Sequence, residues 1–246
     1  MGRQYAVIIG SGFDAFVDEA DGVAVTTRFG RPSAPVRQTD IAGTRVLTLS
    51  RHGDRHTIPP HAINYRANLA ALAEAGAEAI VALNTVGVIT RAVEPGGLAV
   101  PADLIDYSWG RAHTLYDGSD DTVEHIELDP PFTESLRAAL LEAARAAKVL
   151  CFDGGVYAVT QGPRLETAAE IDRLERDGAD YVGMTAMPEA ALARELGIDY
   201  ACLALIVNLA AGRGDRPIHA DLQTNTLSAR RAATSVLRAF FEARGS

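Results

Sequence analysis

The sequence has little lysine, little cysteine and no long apolar run. Lys148 is its only lysine, and Cys151 and Cys202 are its only cysteines. No stretch of about 18 uncharged apolar residues occurs, which excludes a membrane-spanning helix of ordinary length. Both cysteines sit in apolar surroundings, VLCFD and YACLAL, and read as buried thiols; neither a disulfide framework nor a cysteine metal site is expected. Basic side chains are also in deficit, 23 against 32 acidic for a net charge of −9. A broad nucleic-acid surface needs clustered Lys and Arg and is not expected here, although a small local anion site is compatible with this balance. The near-total preference for Arg over Lys, with abundant Ala, reads as genome base bias. The first residues, MGRQYAVIIGSG, read as a strand and turn and not as a secretory leader, so a cytoplasmic protein without membrane association is expected.

What is present is apolar material enough for a core: 246 residues, 48% hydrophobic. A single domain of this size buries roughly three quarters of its unfolded surface, and a disordered chain is excluded. Apolar runs at 5–9, 45–50, 79–83, 150–160, 180–183 and 200–207 predict strands. Helical spacing predicts helices at 64–75, 133–147, 166–176, 188–196 and 227–243. In the first of these, Leu69 and Leu72 share a face and Gly76 stops the helix. The alternation predicts an α/β fold, one domain over 1–246, with a mostly parallel or mixed sheet. Residues 212–225, rich in Gly, Arg, Asp and Pro, read as a working loop.

Polar or glycine residues follow the predicted strand ends repeatedly: Ser11, Arg51-His52, Asn84-Thr85, Met184-Thr185 and Asn208. Ligands of open α/β sheets bind at the carboxyl ends of strands, so these distant segments are expected to converge on one pocket.

Each motif has a bland reading beside the functional one. GSGFDA at 10–15 fits the relaxed dinucleotide fingerprint, but the acidic FVDEADGV after it does not suit a pyrophosphate-binding helix. A tight turn whose amides and Ser11 hydroxyl hold one anion fits better; a plain turn remains open. His52, His56 and His61 invite a metal reading, yet Pro59-Pro60 breaks their spacing and no Cys or carboxylate completes a ligand set. Arg51 beside His52 suits an oxyanion, because guanidinium makes paired charge-assisted bonds; an ordinary surface arginine is the alternative. Glu166 and Thr167 are predicted in the first turn of a helix, where Glu166 can simply complement the helix dipole. Pro188 suits the first helical position, and Met184 alone reads as core.

The blocks IIGSGF, RHGDRHTIPPHAINYRANL, NTVG, QGPRLETAAE, GMTAMPEAALARELGI and ALIVN follow one another over nearly the whole chain. In that order they resemble the trimeric purine nucleoside phosphorylase and methylthioadenosine phosphorylase family. The RLET and GMTAMPEAALAREL blocks resemble most the branch acting on S-methyl-5′-thioinosine. The resemblance implies a central mixed β-sheet flanked by helices, and a pentosyltransferase with inorganic phosphate as co-substrate, no cofactor and no metal. Its substrate would be a 6-oxopurine nucleoside, cleaved to hypoxanthine and 5-methylthioribose 1-phosphate. Inosine or guanosine is the alternative substrate, and a non-catalytic nucleotide-binding module the alternative of another class.

Carried over by position, the resemblance implies that Ser11, Arg51, His52, Asn84, Thr85 and Thr185 hold phosphate. Met184 would pack on the ribose and Leu165 would stand near the base, where many members have Phe. Asn208 and Glu166 would be the catalytic pair on the purine, Asn208 donating to N7 or O6 and Glu166 accepting from N1–H. Members cleaving 6-aminopurines have Asp at 208 and 210; here these are Asn208 and Ala210, with Leu209 between them. His219 and Leu222 fall where the family reads the 5′ substituent, His219 arguing for a hydroxyl and overall similarity for methylthio. His125 resembles a residue reaching into a neighbouring subunit's site, which implies a homotrimer.

Overall fold

The computed structural model describes residues 2–11, 22–23, 25–90, 93–119, 123–215, 217–218 and 222–245. Among them one sheet contains β1 Tyr5–Ile9, β2 Arg37–Ile41, β3 Thr44–Ser50, β4 Ala79–Val88, β5 Leu98–Val100, β6 Asp103–Asp106, β7 Cys151–Asp153, β8 Val156–Val159, β9 Tyr181–Gly183 and β10 Asp199–Leu209. Five helices join them: α1 Tyr65–Glu74, α2 Glu134–Ala146, α3 Ala168–Arg176, α4 Ala186–Glu195 and α5 Leu222–Gly245.

The main path runs β2-β3-β1-β4-β10-β5-β7. Strands β3, β1, β4 and β10 are parallel, so their carboxyl ends share one edge. β2 runs antiparallel to β3, β5 runs antiparallel to β10 but parallel to β7, and β9 pairs antiparallel with the end of β4 and carries β8 and β6. The sheet is mixed, as expected.

Successive side chains of a strand point to opposite faces, and here both faces are buried. Ala6 and Ile8 of β1 enter one core with Leu69 and Leu72 of α1 and Leu192 of α4. Val7 and Ile9 enter the other, with Leu140 of α2 and Val236, Leu237, Phe240 and Phe241 of α5. Fully burying each such Leu or Phe contributes roughly 1.5–3 kcal/mol. The strands are thereby clamped between two helical layers, and their polar carboxyl ends are held at fixed spacing.

Several expected boundaries move. β1 is found where expected, but β4 continues past Leu83 to Val88, so Asn84 and Thr85 lie inside a strand and not after it. The strand continues because Gly87 and Val88 gain β9 as a second partner. The single strand expected at 150–160 is two, broken at Gly154-Gly155, both in the left-handed region (φ 97° and 83°). Glu166 is outside α3: Thr167 is the N-cap and makes a reciprocal capping box with Glu170. In α4, Met187 is extended (φ −111°, ψ 140°), so regular helix resumes at Pro188. α5 begins at Leu222, five residues before the expected start at 227, which shortens the expected loop. Cys202 is fully buried but Cys151 only partly, and both are free thiols. Among the described residues no helix is long and apolar enough to cross a membrane.

Candidate functional site

The ladder of β1 and β3 continues one residue past the strand, with Arg51 N–H donating to Ile9 O at 2.9 Å. That bond brings Ser11, at the end of β1, beside Arg51 and His52, at the end of β3. A side chain at Gly10 would collide with the Leu83 carbonyl and with Arg51 Nη1. Glycine there lets the guanidinium reach Leu83 O, 2.7 Å away.

On the other side, the pairing of β10 with β4 slips between Ile206 and Asn208, setting Asn208 opposite Gly87. A bulge of this kind re-aims side chains. Here Val207 and Asn208, consecutive in sequence, both line the same cavity. A Cβ on Gly87 would lie 2.9 Å from Asn208 Nδ2.

These ends, with β9, the start of α4 and the segment before α3, enclose a cavity of about 360 Å³. Its wall includes the hydroxyls of Ser11, Thr85 and Thr185, the Arg51 guanidinium and the His52 imidazole, and Glu166 and Asn208, a carboxylate and an amide. Leu165, Met184, Ala210 and Leu222 line it too. The expected convergence of the strand ends is therefore what the fold produces.

The remaining candidates lie elsewhere. Asn84 is buried and does not line the cavity; its Nδ2 donates to Thr185 Oγ1 at 2.8 Å, one layer behind the wall. Leu209 borders an adjoining hollow with Ile218 and Asn225 instead. His125 is exposed and away from the cavity of its own chain. His219 lies outside the described residues, as do Gly12 to Ala15 of the glycine turn.

The electrostatics of the wall follow from its partners. Arg51 is fully buried and pairs with Glu189, Nε to Oε1 at 2.6 Å and Nη2 to Oε2 at 2.9 Å. Burial alone would lower the guanidinium pKa, but the attraction of Glu189 outweighs it and the group is held charged. Glu189 Oε2 also accepts from the Tyr200 hydroxyl at 2.9 Å. Two N–H groups of Arg51 remain uncommitted by these bonds, since a guanidinium carries five. Burial and the adjacent Arg51 charge push the His52 imidazole down to about 4. A neutral ring whose Nδ1 lies 2.8 Å from Ile58 O must carry its proton there, which leaves Nε2 an acceptor. Ser11 Oγ is 3.4 Å from His56 Nε2.

At the other pole, Glu166 Oε1 accepts from the Thr160 hydroxyl at 2.6 Å. One amide N–H of Asn208 goes to Leu209 O at 2.8 Å, and its second is uncommitted. Arg111 was not singled out from the sequence. It is buried, and its Nη1 donates to Met184 O (2.8 Å) and Met187 O (2.7 Å) and its Nη2 to Thr160 O (3.1 Å) and Gln161 O (2.9 Å). It thus fixes the backbone of both Met184 and the segment carrying Glu166. Glu189 was missed for the same reason as Arg111: each takes its role from partners remote in sequence.

A cavity at the carboxyl edge of parallel strands, cationic and hydroxylic at one part of its wall and carboxylate-amide at another, is a small-molecule site of the strand-end type. The chain belongs to the phosphorylase superfamily, whose profile matches residues 4–242. It is 51% identical over 212 residues to the probable S-methyl-5′-thioinosine phosphorylase of Xylella fastidiosa, a match covering 85% of this chain and 86% of that protein. It is 41% identical over 214 residues to the probable 6-oxopurine nucleoside phosphorylase of Thermococcus kodakarensis, covering 84% and 79%. Among solved structures it is similar to methylthioadenosine phosphorylase from Schistosoma mansoni in complex with adenine. There the TM-score is 0.87 at 31% identity, covering 97% of this chain and 91% of that one. A methylthioadenosine phosphorylase from an antarctic soil metagenomic library gives a TM-score of 0.89 at 29% identity, covering 98% and 85%.

Proposed function

We propose that the chain is a purine nucleoside phosphorylase that cleaves 6-oxopurine nucleosides with inorganic phosphate, S-methyl-5′-thioinosine being its preferred substrate. The products are hypoxanthine and 5-methylthioribose 1-phosphate. The observation that carries this reading is the single cavity holding Arg51 and the hydroxyls of Ser11, Thr85 and Thr185 together with Glu166 and Asn208. The name of the Xylella relative supports the 5′-methylthio assignment.

Phosphate is already a nucleophile, so the wall must position it and stabilise charge on the leaving base. A phosphate oxygen bonds to C1′ as the C1′–N9 bond breaks, and the N9 electron pair leaves with the purine. The free N–H of Asn208 donates to N7 or O6 where that charge accumulates. Glu166, with Oε1 already held by Thr160, accepts from N1–H through its other oxygen. Met184 lies along the ribose and Leu165 near the base. Ala210, Ala211, Ile218 and Leu222, all apolar, are what the described residues after β10 bring to the cavity, and this suits a methylthio group. His219, outside the described residues, falls by resemblance where a 5′-hydroxyl would be read, and this supports the second reading, inosine or guanosine. The protein works as one domain over 1–246 in a cytoplasmic homotrimer, with His125 serving a neighbouring subunit.

The test is a panel of methylthioinosine, inosine, guanosine, methylthioadenosine and adenosine, each with and without phosphate. Hypoxanthine release from methylthioinosine only when phosphate is present is expected. Equal release without phosphate would make the chain a hydrolase, and no release from any nucleoside a binding module.

A further inference from the structure

Behind the anion-binding wall lies a chain of buried groups that the proposed reaction does not use directly. Cys202, on β10, is fully buried, and burial raises its thiol pKa, so it stays protonated. Its Sγ donates to Asn84 Oδ1 at 3.1 Å, on the neighbouring strand β4. Asn84 Nδ2 in turn donates to Thr185 Oγ1 at 2.8 Å. Thr185 is the member of this chain that reaches the cavity.

The direction of these bonds matters more than their number. With the S–H donating, the amide is held with its oxygen toward Cys202 and its NH₂ toward Thr185. A hydroxyl has one proton, and an oxygen already accepting from Asn84 keeps that proton for another acceptor. The fully buried Tyr157 hydroxyl sits beside Thr185 but makes no hydrogen bond of normal geometry. The Tyr157 oxygen is thus a neutral acceptor within reach of the Thr185 proton; an oxyanion in the cavity, being charged, is the stronger acceptor and draws that proton towards it.

We propose that Cys202 and Asn84 are positioning residues that set the Thr185 hydroxyl as a donor into the cavity, which selects an oxyanion there. The inference rests on the phosphorolytic reading above. It assigns Asn84 an action through Thr185 and not a contact with phosphate. It also gives Cys202 a role beyond filling the core.

The test is a double-mutant cycle on the intact protein, read as KM for phosphate against KM for nucleoside. Inorganic phosphate is also used alone, as protection against thermal unfolding. Cys202→Ala frees the Asn84 amide to turn, and a rise of about 3- to 10-fold in phosphate KM is expected, the size of one neutral hydrogen bond. Nucleoside KM should change less than about two-fold, by the near-independence of sites that share no partner. Cys202→Ser restores a donor and should restore phosphate KM. Asn84→Asp accepts from both neighbours, turns the Thr185 proton away from the cavity and adds a negative charge, so it should be the worst variant for phosphate. In a Thr185→Val background, Cys202→Ala should no longer affect phosphate KM. An undiminished effect there, or Cys202→Ser behaving like Cys202→Ala, overturns the relay while leaving the function standing. A wild-type protein neither protected by phosphate nor dependent on it overturns both.

Discussion

The Arg51 guanidinium and the Glu189 carboxylate form a two-pronged ion pair, at 2.6 and 2.9 Å, with both side chains withdrawn from solvent. Arg51 thus has two tasks, one facing the core and one facing the cavity. Removing either partner of a buried pair strands the other charge and costs about 3–5 kcal/mol, whereas replacing both with apolar residues is often neutral. Arg51→Met should therefore lose both stability and phosphate binding. Adding Glu189→Leu should recover most of the stability but none of the phosphate affinity. Urea midpoints and phosphate KM for the wild type and the two variants separate the tasks. Recovery of phosphate KM in the double variant would show that Arg51 does not hold phosphate.

His52 makes stability depend on pH. Folded, it resists protonation down to about pH 4; unfolded, it takes a proton near its ordinary 6.5. The unfolded state therefore binds more protons between these values, and its share of stability, on the order of 3 kcal/mol, is lost as pH falls from 6.5 towards 4. Urea midpoints measured at half-unit intervals should fall across that window. In His52→Gln the slope should be shallower by close to one proton. An unchanged slope would mean that His52 is not the titrating group.

How much of this was legible in the sequence depends on where each group's partner lies. Ser11, Arg51, His52, Thr85 and Asn208 were readable because the apolar run before or around each is local, and the parallel strand rule puts their ends together; Thr185 was readable from its own local run, although β9 before it pairs antiparallel with β4. Asn84 was legible as a polar residue beside the site, but not as a residue inside β4. Its amide is satisfied by Cys202 and Thr185, 118 and 101 residues away. Glu189 reads as a solvated helix residue until Arg51, 138 residues distant, is placed against it. Glu166 is a different case. The run Thr167-Ala168-Ala169-Glu170 is a capping-box signature, and it would have put the helix start after Glu166, freeing that carboxylate for the cavity.

Arg111 holds four main-chain carbonyls from two segments of the wall. A lysine keeps the charge but not the planar fork. Arg111→Lys should loosen Met184 and the segment around Gln161, raising nucleoside KM by about 10-fold, the order of one lost charged hydrogen bond, with a smaller effect on phosphate. Arg111→Met leaves the carbonyls unpaired and should destabilise by about 2–4 kcal/mol. Steady-state kinetics in both substrates, with melting curves, decide it. An unaltered nucleoside KM in Arg111→Lys would remove it from the positioning of the site.

On the proposed reading, base selectivity follows from the donor and acceptor pattern of Glu166 and Asn208. A 6-oxopurine presents an N1–H donor and an O6 acceptor; adenine presents an N1 acceptor and an N6 donor. Glu166 offers an acceptor, with Thr160 holding Oε1 at 2.6 Å. Asn208 offers a donor, one N–H being spent on Leu209 O. The wrong base leaves buried groups unpaired on both sides, and such a site can discriminate by about 10⁴ or more. Wild type should therefore prefer methylthioinosine to methylthioadenosine strongly in kcat/KM. Glu166→Gln and Asn208→Asp should each lower activity on methylthioinosine by about 10- to 150-fold, the range of one charge-assisted hydrogen bond. The double variant turns both groups around, so the remaining ratio should shift towards the 6-aminopurine further than either single variant. Ala210 supplies no second acid, which keeps the gain on methylthioadenosine small. The ratio of kcat/KM for the two nucleosides across the four proteins is the measurement. A wild-type preference for methylthioadenosine, or a ratio indifferent to both substitutions, would show that these residues do not read the base.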